Sequence, residues 1–173
     1  VFDADHRWST LPIKSDPPAK RMYTAGAACS DEFMICGGWD PGERGSGGEF
    51  YDDVWVLNVT TGTWTQLDLV LSGGSASRHT ATNIGGNRIV IHTFRCSDSV
   101  MVLNMKTKTL EIQPTTGRSP HGLSMMSTTF HPNENMLVFS GGATKLQEMS
   151  GEVFVLDVST WTWRMLDVRN APA

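Results

Sequence analysis

The chain has 173 residues, with 14 Lys+Arg against 18 Asp+Glu and a net charge of −4. No block of like charge stands out, which argues against a nucleic-acid footprint. No apolar run approaches the roughly 20 residues that span a bilayer. A hydrophobic fraction of 39% is too high for a disordered chain, and 17 Gly with 8 Pro point to short strands and many turns.

In chain order, residues 1–12 end in a stretch with Trp8 that reads as the outer strand of a unit begun elsewhere. Arg21 then leads a short strand, a. Strand b follows as FMICGG, residues 33–38, ending at Gly37-Gly38. A long loop, residues 39–52, leads to strand c, VWVLN, which ends at Asn58. Strand d carries Trp64. The series then repeats. Arg78 precedes a second strand a, IVIHTF (89–94) stands where FMICGG stood, VMVLN ends at Asn104, and Leu110 takes the Trp position. In the third unit Arg118, LVFSGG (137–142, with Gly141-Gly142), VFVLD ending at Asp157, and Trp163 fill the same places. The segments 54–67, 100–113 and 153–166 align without a gap, and no stretch has a helical period. Asn58 opens an Asn-Val-Thr acceptor triplet, but the repeat explains it as a turn residue, like Asn104 and Asp157.

A unit of roughly 50 residues, four strands, a Gly-Gly after strand b and a Trp on strand d resembles the kelch repeat. The resemblance covers nearly the whole chain and is degraded in the second unit, which lacks the glycine pair. It implies an all-β fold, a kelch-type β-propeller with residues 18–70, 72–114 and 116–168 as complete four-stranded antiparallel blades of one domain. Residues 1–12 would supply the outer strand of a preceding blade. Stacking blades buries both faces of each sheet. Gly37, Gly38, Gly141 and Gly142 would let strand b leave its sheet, and Trp8, Trp64 and Trp163 would seal the joints between blades. Propellers have about four to eight blades. Further blades are therefore expected from unseen chain or from a second copy, and the sequence reads as a piece of a longer protein.

In this strand order the b–c and d–a loops share one face, where a rigid scaffold presents binding residues. From the first b–c loop we expect Trp39, Asp40, Glu43, Arg44, Phe50 and Tyr51 to engage a partner. From the second and third we expect Arg95, Asp98, Lys145 and Gln147. Trp, Tyr and Arg are common interface anchors. Arg21, Arg78 and Arg118 are expected to ring one mouth of the channel, either fixing their blades or receiving an acidic or phosphorylated segment.

No metal-ligand spacing, nucleophile triad or phosphate loop is present. The histidines His79, His92 and His121 read as structural. Among kelch-like enzymes, galactose oxidase uses Tyr and His around copper, and no such set is found with only 2 Tyr in the chain. We expect no enzyme activity and no cofactor. The resemblance implies a scaffold or adaptor that binds protein partners, within a larger complex, without nucleic acid or a membrane span. An architectural subunit or a sugar-acting kelch enzyme is the alternative. Cys29, Cys36 and Cys96 are an odd set that reads as free thiols, in keeping with a cytoplasmic setting.

Overall fold

The computed structural model describes residue 2, residues 4–43 and residues 47–168, and among them every regular element is a strand. The first sheet runs β1 (Ala25–Cys29), β2 (Glu32–Asp40), β3 (Glu49–Asn58) and β4 (Thr63–Val70) in that spatial order. The second repeats the order with β5 (Thr80–Asn83), β6 (Arg88–His92), β7 (Ser99–Asn104) and β8 (Thr109–Pro114). The third comprises β10 (Ser127–His131), β11 (Met136–Ser140), β12 (Val153–Asp157) and β13 (Thr162–Leu166). A short strand, β9 (Thr116–Gly117), adds to it in parallel beside Thr162 and Trp163. All other pairings within these sheets are antiparallel neighbours in sequence, so each sheet is a four-stranded meander.

Alternation along each strand creates two apolar faces, and consecutive sheets bury them against each other. Met34, Cys36, Val54 and Val56 of the first sheet meet Ile89, Ile91, Met101 and Leu103 of the second. On its other face the second sheet offers Val90, Val100 and Val102 to Leu137, Phe139, Phe154, Leu156 and Trp163 of the third. The fold is therefore an arc of stacked blades with one hydrophobic layer at each joint.

The turns repeat in detail. The side-chain oxygen of Asn58 accepts the N–H groups of Thr60 and Thr61, and that of Asn104 accepts those of Lys106 and Thr107. Asp157 does the same for Ser159 and Thr160. Four residues past each cap, Gly62, Lys108 and Trp161 have φ of 72°, 57° and 57° and donate back to its carbonyl. A short polar side chain at the end of strand c thus sets the same turn in every sheet.

Gly37 is required where it stands. Its φ is 56°, it forms a bulge between β2 and β3, and a Cβ there would lie 2.5 Å from the Ala76 carbonyl oxygen. That carbonyl accepts from Gly38 N at 2.7 Å and ties the first sheet to the approach to the second.

One expectation needs correction. Residues 1–12 do not form a regular outer strand among the described positions: Phe2 and Trp8 make a single antiparallel bridge, and Trp8 is 82% exposed. Trp64 pairs with Leu57 and lies on the face opposite Val56, away from the second sheet, where it is half-buried. Trp163, at the equivalent place in the third sheet, likewise faces the side of the preceding sheet and is 3% exposed.

Candidate functional site: a cleft on the loop face

Two residues before each strand a, the chain enters the left-handed region: Tyr23 (φ 56°), Arg78 (φ 57°) and Met125 (φ 60°). These three are chained across the blades. Arg78 N donates to the Tyr23 carbonyl at 2.9 Å, and Met125 N donates to the Arg78 carbonyl at 2.8 Å. They form the inner rim of the arc, and hydrogen bonds between successive blades hold non-glycine residues in this backbone conformation.

A cleft of about 410 Å³ opens on that rim. Tyr23, Arg78 and Met125 form its floor. Phe94 comes from the second b–c loop, and Thr144, Lys145 and Gln147 come from the third. The b–c and d–a loops do share one face, as strand order requires. An adjoining hollow shares Phe94 and Lys145 and adds Arg95 and His121. The Arg78 guanidinium lies 4.5 Å from the centre of the Tyr23 ring. Phe94 carries Arg95 at 4.5 Å and Lys145 at 4.9 Å. Arg95 also donates to the Ser75 carbonyl at 3.0 Å.

The three arginines do not form one ring. Arg21 lies four residues before its strand, with its side chain 4% exposed. It grips Asp53 with both amino groups, at 2.5 and 3.1 Å, donates to the Gly37 carbonyl, and stacks on Tyr51 at 4.0 Å. Arg118 lies nine residues before its strand and pairs with Glu152 at 2.9 Å at the surface. Only Arg78 enters the cleft.

The first b–c loop stands apart from it. Trp39 is half-buried between Tyr23 and Phe50, with ring centroids 6.5 and 5.8 Å away. Tyr51 donates to Glu49, Asp40 accepts from Gly42 N at 2.9 Å, and Glu43 is exposed. Arg44 lies outside the described residues. Asp98 accepts from Ser97, and its backbone carbonyl takes Thr115 N. Lys145 and Gln147 are at the cleft and Arg95 at its side, whereas Asp98 lines neither.

Sequence reasoning missed Tyr23, Phe94, Met125 and Thr144. The signal lay in the degraded repeat. Phe94 occupies the second glycine position of the pattern that gives Gly38 and Gly142 in the other units, so the irregular blade is the one that puts an aromatic ring into the cleft.

The buried titratable groups away from the cleft are chemically quiet. Cys36 Sγ lies 3.3 Å from His79 Nε2, yet burial, with help from the Asp53 charge, pushes the thiol up to about 12. Burial pushes His79 down to about 4. Both stay neutral near pH 7, the reverse of an activated thiolate–imidazolium pair. Cys29, Cys36 and Cys96 are all free thiols. Among the described residues, no group of three or more His, Cys, Asp or Glu is placed to hold a metal ion, and no helix is long and apolar enough to cross a membrane.

Stacked four-stranded meanders with Gly-Gly after strand b define a kelch-type β-propeller arc. Residues 20–68 match the family described as Kelch motif, and the fold is that of a partial kelch-type β-propeller. It is similar to the solved structure of YjhT, with a TM-score of 0.75 and 16% identity over 98% of this chain and 58% of that one. It is also 26% identical over 183 aligned residues to acyl-CoA-binding domain-containing protein 5 of Arabidopsis thaliana, covering 96% of this chain and 27% of that protein. Acyl-CoA-binding domain-containing protein 6 of Oryza sativa subsp. japonica is 23% identical, covering 95% of this chain and 26% of that protein. The chain spans about a quarter of the length of the curated relatives it matches.

Proposed function

We propose that the chain is a non-enzymatic protein-interaction module that engages a protein partner through the face where the b–c and d–a loops meet. One observation carries this reading: loops from three separate sheets converge on one open cleft with exposed apolar side chains on its rim. Met125 is 49% and Met149 80% exposed. Clustered apolar exposure beside cationic and aromatic groups is the composition of a recognition surface. The kelch repeat supports the same reading, since function in such folds lies in loops grafted on a common scaffold. The neutral Cys36–His79 pair gives no support to cysteine chemistry. Membership of a larger complex and a cytoplasmic setting are parts of the same proposal; the free thiols favour a reducing compartment.

The test compares proteins captured from a cell extract by the immobilised chain and by two surface variants. Met149→Asp puts a charge on the rim of the cleft, and Lys106→Glu alters a c–d turn on the opposite face. The expected result is loss of bound proteins with Met149→Asp and retention with Lys106→Glu. Equal retention by both variants, or loss with Lys106→Glu alone, would overturn the reading.

A further inference from the structure

We infer that the cleft is an anion site that takes the carboxylate side chains of an acidic peptide segment, with Arg78 and Lys145 as its two cationic contacts. This rests on the loop-face reading above and adds the chemistry of the partner.

The first support is a charge separation. The chain as a whole carries a net charge of −4. Yet the charged residues that line the cleft and its adjoining hollow, among those described, are Arg78, Lys145 and Arg95, with no Asp or Glu. A concave surface of one sign focuses the field on its interior.

The second support is what these cations do in the absence of a ligand. Arg21 is held by Asp53 and Arg118 by Glu152. Each of those acids stands immediately before the apolar run of its strand c. The equivalent place in the second unit is Ser99. Among the described residues Arg78 and Lys145 have no carboxylate partner. Each lies instead against an aromatic ring, Tyr23 and Phe94 respectively. A guanidinium offers a carboxylate two parallel N–H groups.

The third support is the irregularity of the second unit. One departure from the repeat, Phe94 in place of a glycine, acts at this cleft and supplies the ring on which Lys145 and Arg95 lie. A structural device would repeat in every blade; this feature occurs once.

The occupant is a peptide segment rather than a free carboxylate, because the rim supplies contacts that a small acid cannot use. Met125 and Met149 are unbranched and adaptable, suited to apolar side chains flanking an acidic one. The hydroxyls of Ser77, Ser124 and Thr144 can meet a peptide backbone.

The experiment measures fluorescence anisotropy of a short labelled peptide of alternating glutamate and leucine, titrated with the chain. The isosteric glutamine–leucine peptide is the control, and acetate is the competitor. The expected result is binding of the glutamate peptide that weakens with salt, about tenfold loss with either Arg78→Gln or Lys145→Gln, and greater loss with both. Acetate at the peptide's concentration should not compete. Circular dichroism and an unchanged melting midpoint confirm that the variants fold. Equal binding of the two peptides overturns the acidic preference while leaving the loop-face reading intact, since Met149→Asp would still abolish partner capture. Equal binding by wild type and the double variant, or no binding of the glutamate peptide at millimolar chain, overturns the site. Competition by acetate overturns the peptide assignment.

Discussion

Trp163 lies against Phe139 with ring centroids 4.9 Å apart and an interplanar angle of 59°, and both side chains are sealed between the second and third sheets. His92 meets both rings from the second sheet, at 5.7 and 5.2 Å. This three-ring cluster is the joint that holds the last blade on the arc. Trp163→Ala is therefore expected to destabilise the chain by about 3–5 kcal/mol, and Trp64→Ala, at a half-buried position, by about half as much. Urea unfolding of the two variants checks this. Equal losses would mean that the joint does not depend on Trp163.

Arg21 holds Asp53 in a two-point contact, and Asp53 also accepts from Trp55 Nε1 at 2.7 Å. The Asp53 side chain is 17% exposed. Removing the guanidinium leaves that carboxylate with little water and no counter-charge. Arg21→Ala is expected to cost about 3 kcal/mol. Arg21→Lys should recover part of that loss, because it restores the charge but not the fork. The thermal midpoints of the two variants decide the matter, and identical midpoints would show that geometry plays no part.

Burial holds His79 and His92 at about 4, from an ordinary value of 6.5. The folded chain therefore refuses protons that the unfolded chain accepts. Between pH 6.5 and pH 4 the unfolded state binds more protons, so stability is fullest above pH 6.5 and falls as pH drops toward 4. Each histidine contributes about 3 kcal/mol to that fall when fully expressed. Denaturant midpoints across this range should decline, and less steeply in His79→Gln. A flat profile would mean that the two rings are hydrated.

Asn104 caps the second c–d turn through two N–H contacts, as Asp157 does in the third sheet. Asn104→Ala should cost about 1 kcal/mol, and Asn104→Asp close to nothing. Chemical denaturation of both variants tests this, and an equal loss in each would contradict the capping role.

The repeat made the architecture legible because period-2 alternation, Gly-Gly and the strand-c cap each have a local cause. Asn58, Asn104 and Asp157 end their strands where the sequence places them. The site was less legible. Counting from the arginines put Arg21, Arg78 and Arg118 in one ring, whereas counting from the first residue of strand a brings together Tyr23, Arg78 and Met125. Only backbone conformation reveals that register. The long Gly-rich loop drew attention to Trp39 and Phe50, but these rings stack on one another and on Tyr23 beside the first sheet. The absent glycine pair at Thr93 and Phe94 reads as degeneracy in a sequence and as a ring in the cleft once folded. Trp8 and Trp64 share a sequence position with Trp163 but not its burial, because burial depends on which sheet stands opposite.

The most direct measurement is hydrogen–deuterium exchange of the chain with and without a captured protein partner. The account predicts slowed exchange at residues 77–78, 93–95, 122–125 and 144–149, with the c–d turns at 58–62, 104–108 and 157–161 unchanged. Protection confined to those turns, or to the outer strands β4, β8 and β13, would contradict the claim that the loop face is where this chain binds.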